Sequence, residues 1–559
     1  TEAAGRTKEG MGGQNRPMRS GRARRRRLQW RMRIVAATVS LLIAALGYRV
    51  YSIQVTDGPI YEAMARSQQR IALSGVDSRG TICDRSGQPL TGARLEYVYI
   101  LPRARLDERG EALVNQLVRF GGRERRTTNE TYRIFTAEHY SKDVSERLRK
   151  EYGAYILMLP QRYERDQTAV YLLGYVRDSD GVGVVGLERA FDDWLSRRDK
   201  AVYGVADAAN LILPGFEIQN SDRRNVRLIT TLDRTLQQKT ERIARNVTEG
   251  RCCIIVTEVA SGDILACATA PGFDPLQVEE LLESQNRELL DIALQGQYPP
   301  GSIFKLVVAA AALESGICTP EQEFVCTGCQ QVGDVSIRCT SQQGHGTLTM
   351  EEAFSVSCNC AFIQMGQLVG ADRILEMARA LGLGSQVLEG LDMDQAGNLT
   401  TAEEAAGAGI LNLAIGQGTL LVTPLQAARM TQTIANGGLF TGLYLADRLE
   451  DDGQTKTILR TESRRVMSED AADAILTMMR RTTVSGTACS LVNWDCGGKT
   501  GSAEGILNGE RTVHAWFCGV VPSERPQFSV TVLVEGGGFG GTTAAPVFEA
   551  VLKELELGN

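Results

Sequence analysis

The stretch Pro299-Pro300-Gly301-Ser302-Ile303-Phe304-Lys305 opens an apolar segment that runs to Gly316. Pro before a helix and Gly after it are typical start and stop signals, so the sequence predicts a helix here. Ser302 and Lys305 are three positions apart and therefore lie on one face of that helix. A Lys that burial keeps partly neutral can accept the proton of a Ser hydroxyl, and a helix N-terminus favours a developing oxyanion. Alone, the same spacing is also typical of an N-cap Ser followed by a surface Lys.

Two further polar elements follow along the chain. Ser357-Cys358-Asn359 places a hydroxyl and an amide two positions apart in an apolar segment, although polar residues at such a place often only cap a helix. Lys499-Thr500-Gly501-Ser502 offers a cation, two hydroxyls and a Gly that lets another backbone approach closely. An edge strand of this composition suits an extended peptide that binds by strand addition, with the hydroxyls on its carboxylate. The alternative is a Gly-rich turn with a surface Lys.

Together and in this order, the three elements match the set S-x-x-K, S-D-N and K-T-G of penicillin-binding proteins and class A β-lactamases. The chain resembles the class B penicillin-binding proteins, the monofunctional transpeptidases, of the division or sporulation type of Gram-positive-like bacteria. Residues 299–305 resemble their active-site segment, and 416–418 with 423–426 (GQG and TPLQ) resemble a second stretch of the same domain. Residues 78–90 (SRGTICDRSGQPL) and 183–195 (GVVGLERAFDDWL) resemble their N-terminal pedestal, or dimerisation, domain.

The resemblance implies a mechanism for these residues. Ser302 attacks the penultimate D-Ala carbonyl of a peptidoglycan stem peptide, and an amine of a neighbouring stem then takes the acyl group. The implied catalytic residues are Ser302, Lys305 as the base, Ser357, which helps to pass a proton to the departing D-Ala, and Lys499, which holds the local positive potential. The implied substrate-binding residues are Asn359, Thr500, Gly501 and Ser502. β-Lactams would acylate Ser302 in the same way. Cys358 replaces the Asp of S-D-N, and Ser502 replaces a common Thr while keeping its hydroxyl.

The order of strand and helix patterns predicts an α+β fold. Residues 226–242 are predicted to be a strand followed by a helix, residues 253–271 a hairpin, and 515–521 and 528–534 strands; with the helical stretch between them, this order indicates a sheet built from distant segments with a helical insert. The resemblance implies that this sheet is antiparallel with helices on both sides. We expect a basic cytoplasmic tail at 1–33, a transmembrane anchor at 34–53, a mostly β pedestal domain at 54–225 and the penicillin-binding transpeptidase domain at 226–559.

The N-terminal segment indicates where the protein works. Residues 1–33 hold eleven Lys or Arg and two Glu, and an uncharged apolar run follows from Ile34 to Tyr48. This run is short for a membrane span, but basic residues directly before it indicate a cytoplasmic N-terminus. The sequence shows no convincing cleavage site, which disfavours a cleaved signal peptide. A nucleic-acid-binding arm would not need the apolar run. We therefore predict a single-pass membrane protein with an extracytoplasmic catalytic domain and no nucleic-acid partner.

Other functions share part of this pattern. A β-lactamase of class A needs an extra Glu that positions a water, and no such segment stands between Ser357 and Lys499. A D,D-carboxypeptidase uses the same residues with water as acceptor. A non-catalytic β-lactam sensor would need a cytoplasmic signalling domain, for which we expect the basic tail of 33 residues to be too short, and a cell-wall scaffold would tolerate the loss of Ser302. The family implies peptidoglycan stem peptides, β-lactams, the cell membrane and a polytopic glycan polymerase as partners. We expect no cofactor, and no metal among the site residues.

The thirteen cysteines all follow the apolar run. Cys326, Cys329, Cys339, His345, Cys358 and Cys360 fall close together around Ser357. Three interpretations stay open: a Cys3His zinc site, although the second half lacks the usual ligand pair; a disulfide such as Cys326–Cys339; or unpaired thiols. Some sporulation-specific members of the family are thought to carry a redox-sensitive disulfide in this part of the domain.

If Cys326 and Cys339 form a redox-sensitive pair, reductant changes both the number of free thiols and the activity. Alkylation with and without reductant, followed by mass spectrometry, counts the free thiols. Complete alkylation of the unreduced protein would contradict the pair.

Overall fold

The computed structural model describes residues 20–61, 64, 70–72, 79–119, 121–125, 131–177, 179–196, 203–205, 226–283 and 287–555. The chain divides into two compact units, residues 1–72 with 203–217 and residues 73–202 with 218–559. Tail residues 1–19 lie outside the described residues. The four domain ranges given above stay predictions.

The first unit contains one long helix, Ser20–Tyr51, which continues as a π-helical turn at Ser52–Thr56. Its stretch Arg24–Thr56 is long and apolar enough to cross a membrane by length and composition, and none of it is buried within the protein. A two-stranded antiparallel pair, Arg70–Ala72 with Tyr203–Val205, belongs to the same unit. The predicted apolar helix is thus confirmed as a helix.

The second unit is a mixture of helices and strands. Its strands are Thr81–Cys83, Arg94–Pro102, Arg123–Arg125, Tyr132–Ala137, Tyr155–Gln161, Arg227–Thr230, Cys252–Glu258, Ile264–Ala270, Glu323–Cys326, Cys329–Val332, Val335–Arg338, Gly346–Thr349, Leu439–Phe440, Ala446–Asp451, Gln454–Thr457, Arg464–Arg465, Gly497–Leu507, Glu510–Val521 and Phe528–Val534. Its α-helices are Glu108–Arg119, Lys142–Tyr152, Val170–Leu173, Gly186–Ala190, Asp192–Leu195, Arg234–Arg245, Val278–Glu283, Lys305–Glu314, Met350–Ser355, Asn359–Val369, Ala371–Ala380, Gly409–Ala414, Pro424–Ala435, Glu469–Ser485 and Ala544–Leu552.

The central sheet has five antiparallel strands, two from residues 252–270 and three from residues 497–534. Their spatial order is Ile264–Ala270, Cys252–Glu258, Phe528–Val534, Glu510–Val521 and Gly497–Leu507. The last of these is the edge strand, and it carries the Lys499–Ser502 segment. The predicted sheet of distant chain segments is confirmed, but the predicted strand at its start, Arg227–Thr230, pairs with Thr81–Cys83 and Ala446–Asp451 in a separate four-stranded sheet.

Alternate residues of the central sheet pack into two cores. Ile254 and Phe517 belong to a core with the helix Ala544–Leu552. Cys253 and Trp516 belong to the larger core, which includes the core helix Lys305–Glu314. Every residue from Lys305 to Ala312 is buried, as expected for a helix that is apolar on all sides. The predicted helices on both sides of the sheet are therefore present.

The segment predicted to be a mostly β pedestal is mixed. A four-stranded sheet in the order Arg123–Arg125, Tyr132–Ala137, Arg94–Pro102 and Tyr155–Gln161 packs against the helices Glu108–Arg119 and Lys142–Tyr152. Both helices bury residues spaced three or four apart, among them Leu113, Leu117, Val144 and Leu148. Apolar residues at this spacing favour amphipathic helices. The segment therefore contains helices as well as the predicted strands.

The two pedestal-like segments meet at one buried carboxylate. Glu188, in the segment 183–195, is fully buried. Its Oε2 accepts from Arg79 Nε at 2.6 Å, and its Oε1 accepts from Arg162 Nε at 2.7 Å and from the Tyr163 hydroxyl at 2.8 Å. Since Arg79 belongs to the segment 78–90, this cluster joins the two segments that the sequence singles out.

The Glu188→Gln substitution removes the charge but keeps the volume of the side chain. Two guanidinium groups then lose their buried partner, and the free energy of unfolding is expected to fall by about 3 kcal/mol. Urea-induced unfolding followed by tryptophan fluorescence measures the change. The control is Glu146→Gln in the exposed ion pair with Lys150, which should leave the unfolding midpoint unchanged. Equal midpoints for the two variants would contradict a structural role for Glu188.

Candidate active site

The turn that carries Ser302 is held directly against the edge strand. Ser302 is half-buried and lies in a single 3-10 turn, Gly301–Phe304, that leads into the core helix. Gly301 has φ +55°, and its N–H donates to the Gly416 carbonyl at 2.8 Å. A Cβ at Gly301 would lie 3.0 Å from the Ser502 carbonyl oxygen, so this close approach requires a glycine. Ser302 is thereby fixed beside Ser502.

Lys305 points into the protein interior and reaches the second polar element. Its side chain has no exposed surface. Its Nζ donates to the Ser357 carbonyl at 2.8 Å, to Ser357 Oγ at 3.2 Å and to Asn359 Oδ1 at 2.8 Å. Burial lowers the pKa of Lys305 to about 8, an effect that the nearby cysteine sulfurs, Cys358 first, partly offset. A lysine with this pKa is well suited to accept a proton near neutral pH.

Lys499 approaches the same hydroxyl from the edge strand. It is also fully buried, and its Nζ donates to Ser357 Oγ at 2.9 Å and to the Thr500 carbonyl at 3.0 Å. Burial holds the pKa of Lys499 well below its ordinary value, and the charge of Lys305 lowers it further. Ser357 Oγ accepts from both lysines, so its own proton is free to be donated to a third group.

Neither lysine has a carboxylate partner among the residues that the structure describes. Their hydrogen-bond acceptors are the hydroxyl, carbonyl and amide oxygens of Ser357, Asn359 and Thr500. Two ammonium groups buried beside one oxygen without a counter-charge repel each other strongly. We therefore expect at least one of the two lysines to be neutral.

Ser357 is held in an unusual backbone conformation. Its φ of +57° lies in the left-handed region, which is strained for a residue with a side chain. It stands between the helices Met350–Ser355 and Asn359–Val369, and the Ser357 and Cys358 N–H groups bond to the Phe354 and Ala353 carbonyls. This tight reversal aims the Ser357 hydroxyl at the lysines.

The edge strand presents the remaining predicted residues. Thr500 Oγ1 bonds to Thr487 Oγ1 at 2.6 Å, and Ser502 Oγ accepts from the Gly540 N–H at 3.2 Å. A Cβ at Gly501 would lie 3.0 Å from Ile303 Cγ2, which places this strand against the turn Gly301–Phe304. Thr487 and Gly540 are absent from the sequence-based predictions. The run of five glycines around Phe539 is the one signal that could have indicated Gly540.

The cysteines near the site form a cluster with a histidine. Cys326, Cys339, His345 and Cys358 each offer one ligand atom, and these four atoms all lie within 4.8 Å of one another. None of the thirteen cysteines, all of which lie in the described residues, is in a disulfide in this structure. Cys329, which the C-x-x-C spacing makes a candidate zinc ligand, is exposed and bonds to Ser336 Oγ instead. The contact with Cys358 lowers the pKa of the Cys339 thiol.

The assembled groups define a class of enzyme site. A serine beside a buried lysine, a second serine held by two lysines and a hydroxyl-bearing edge strand together suit acyl transfer through a serine ester. The predicted residues Lys305, Ser357, Asn359 and Lys499 are in direct contact, and Ser302 lies on the adjoining turn.

Comparison with known proteins agrees with this class. The family model described as the penicillin binding protein transpeptidase domain matches residues 252–553. The peptidoglycan D,D-transpeptidase PbpA of Mycolicibacterium smegmatis is 30% identical over 421 residues, which cover 70% of this chain and 82% of that protein. The chain belongs to the penicillin-binding transpeptidase family, and its resemblance to the class B members is confirmed.

Solved structures share the fold. One, from a peptidoglycan synthase complex that coordinates polymerization and crosslinking, has a TM-score of 0.67 and 26% identity, and covers 93% of this chain and 97% of its own. Penicillin-binding protein A of M. tuberculosis, solved as a ceftriaxone acyl-enzyme complex, has a TM-score of 0.63 and 23% identity, and covers 86% of this chain and 98% of its own.

The pKa of Lys305 sets an expected pH dependence. The lysine accepts a proton only when it is neutral, so acylation should become faster as the pH rises. With a pKa of about 8, the second-order rate constant increases about tenfold per pH unit below that value and levels off above it. Timed labelling with a fluorescent penicillin between about pH 6 and 10 measures the profile.

The Lys305→Arg variant is the control for this profile. Its guanidinium stays protonated throughout, so labelling should be slow at every pH. An unchanged chain with a flat profile would contradict the role of Lys305 as the base.

Proposed function

We propose that this protein is a peptidoglycan D,D-transpeptidase that cross-links stem peptides through an acyl-enzyme on Ser302. The observation that carries the proposal is the hydroxyl of Ser357 held between two buried lysines, next to the turn that presents Ser302. A relative at 30% identity bears the name peptidoglycan D,D-transpeptidase, which supports the same reaction.

The reaction proceeds by two acyl transfers. Ser302 Oγ attacks the carbonyl of the penultimate D-Ala while neutral Lys305 takes its proton. The tetrahedral oxyanion is stabilised by the backbone N–H groups of Ser302 and Ser502, and the close approach of Gly301 to the Ser502 carbonyl oxygen supports this pairing. The Ser357 hydroxyl gives its proton to the departing D-Ala amine and is resupplied from the lysines. An amine of a second stem then attacks the ester and restores Ser302.

The edge strand binds the donor peptide. Strand addition along Gly497–Leu507 aligns the peptide backbone, and Gly501 keeps its path free of side chains. Thr500 and Ser502 donate hydroxyl hydrogen bonds to the terminal carboxylate, while Lys499 supplies positive potential when it is charged. Asn359 binds an amide of the donor through its Nδ2 group, because its Oδ1 accepts from Lys305. A β-lactam takes the same place and stays on Ser302.

The N-terminal helix indicates the cellular location of the protein. The helix around Arg24–Thr56 anchors the chain in the cell membrane as a single span, with the arginine-rich side in the cytoplasm and the catalytic unit outside. A structural neighbour from a peptidoglycan synthase complex supports a polytopic glycan polymerase as partner.

The decisive experiment labels the full chain, solubilised in detergent, with a fluorescent penicillin. Stable labelling is expected, and Ser302→Ala should abolish it because the ester can no longer form. Ser315→Ala, at the other end of the core helix, is the matched control and should label normally. Labelling that persists in Ser302→Ala would overturn the assignment of the nucleophile.

The reaction products distinguish a transpeptidase from the alternative functions. With a stem-peptide donor and an amine acceptor, a transpeptidase yields the cross-linked dimer, which mass spectrometry detects. Release of D-Ala without dimer would instead show a D,D-carboxypeptidase. Rapid loss of the penicillin label would show a β-lactamase. Stable labelling with neither dimer nor released D-Ala would show a β-lactam sensor, and absence of labelling in the unchanged chain would leave a scaffold.

A further inference from the structure

Four potential metal ligands converge beside the active site from separate parts of the chain. Cys326 ends the strand Glu323–Cys326, Cys339 follows Val335–Arg338, and His345 precedes Gly346–Thr349. These strands form the cysteine insert, residues 323–349, which consists of two small antiparallel pairs. The fourth ligand, Cys358, lies outside the insert at the N-cap of the helix Asn359–Val369. We name these four residues the Cys3His cluster.

Three of the six distances inside the Cys3His cluster are those of a tetrahedral metal site, and all six are within 4.8 Å. His345 Nδ1 lies 3.5 Å from Cys326 Sγ and 3.5 Å from Cys339 Sγ, and Cys339 Sγ lies 3.8 Å from Cys358 Sγ. With Zn–S bonds of about 2.3 Å and Zn–N bonds of about 2.0–2.1 Å, a zinc tetrahedron places sulfurs about 3.8 Å apart and nitrogen about 3.5 Å from sulfur. The observed edges match both values.

The Cys3His cluster is also enclosed and supported as a metal site requires. Cys326, Cys339 and Cys358 are 2%, 6% and 0% exposed, and His345 is half-buried. The Ala361 N–H points at Cys358 Sγ from 3.5 Å, an outer hydrogen bond of the kind that stabilises a metal-bound thiolate. A Cβ at Gly344, with φ +82°, would lie 2.3 Å from the Cys326 carbonyl oxygen, so glycine is needed for the two ligand loops to meet.

Apart from the cluster residues, the strands of the cysteine insert bury few apolar side chains. Its four strands are mostly exposed or half-buried, with only Phe324 and Cys326 buried among their residues. A small β element without its own apolar core commonly depends on a disulfide or a metal for stability. Three thiols and one imidazole cannot be satisfied by one disulfide, whereas a tetrahedral metal uses all four. Soft thiolates with an imidazole favour zinc among the common divalent metals.

We infer that Cys326, Cys339, His345 and Cys358 together bind one zinc ion, and that this ion fixes the cysteine insert to the Ser357–Asn359 segment. This replaces our expectation of no metal near the site. The ion is a positioning element and takes no part in the acyl transfer. Cys358 stands between Ser357 and Asn359, whose side chains both bond to Lys305 Nζ. Asn359 Nδ2 in addition donates to the Arg338 carbonyl of the insert at 3.1 Å.

The binding claim is tested on the full chain, purified in detergent with a tag that contains no histidine. Elemental analysis should find about one zinc per chain. Cobalt exchange should give the intense visible absorption of tetrahedral thiolate coordination. Cys339→Ser should lose the zinc, whereas Cys329→Ser, in the same insert but outside the cluster, should keep it. A folded unchanged chain without zinc, or one that keeps zinc in Cys339→Ser, would overturn the site.

Thiol chemistry distinguishes the zinc site from a disulfide, and needs no variant that might fail to fold. With zinc bound, the three cluster thiols become open to alkylation after chelation alone, without reductant. A disulfide would instead require reductant, and that result would overturn the metal site. Peptide mapping by mass spectrometry assigns the protected cysteines.

The positioning role rests on the proposed function and has its own measurement. Removal of zinc should slow penicillin acylation of Ser302 by at least about tenfold, because Ser357 and Asn359 lose their fixed placement. Re-addition of zinc should restore the rate. An unchanged rate after verified zinc loss would overturn the positioning role. Ser302→Ala should retain its zinc while it loses all labelling, so failure of the metal site and failure of the proposed catalysis give different results.

Discussion

Two lysine side chains, both without exposed surface, share the hydroxyl of Ser357, and the rest of the site is arranged around this contact. A buried ammonium is costly unless it is paired, and no carboxylate pairs with either lysine within the described residues. The low-cost solution is a neutral amine, which is the form that can deprotonate Ser302. Burial therefore favours the neutral form of Lys305 that the proposed mechanism needs as its base.

This contact requires three distant chain segments to meet with little tolerance. Lys305 arrives on the core helix, Lys499 on the edge strand and Ser357 on a strained reversal between two helices. Long flexible side chains lose much conformational entropy when they are fixed, so the surrounding packing has to hold them. The two faces of the central sheet supply that packing, since the core helix lies against one face and the terminal helix Ala544–Leu552 against the other.

Much of this could be predicted from local sequence patterns. The apolar run after Lys305 predicts a buried helix, and the alternating strands around it predict the antiparallel sheet; both depend on periodicity that neighbouring residues carry. Contacts between distant segments leave no such trace. Thr487 pairs with Thr500, and Gly540 donates to Ser502, through tertiary packing alone. In the same way, the C-x-x-C spacing indicates Cys329 as a possible metal ligand. In the structure Cys329 is exposed and bonds to Ser336, and Cys358 lies beside Cys339 in its place.

The middle position of the Ser357-Cys358-Asn359 element shows how one residue can serve two structures. Ser357 and Asn359 point to Lys305, so the side chain between them points away, where it is fully buried and caps the following helix. An Asp there could cap the helix equally well, because a cap needs only an acceptor. A Cys can cap the helix and also bind a soft metal together with the insert. The departure from S-D-N thus leaves the contacts of Ser357 and Asn359 with Lys305 unchanged, while Cys358 contacts Cys339 of the insert.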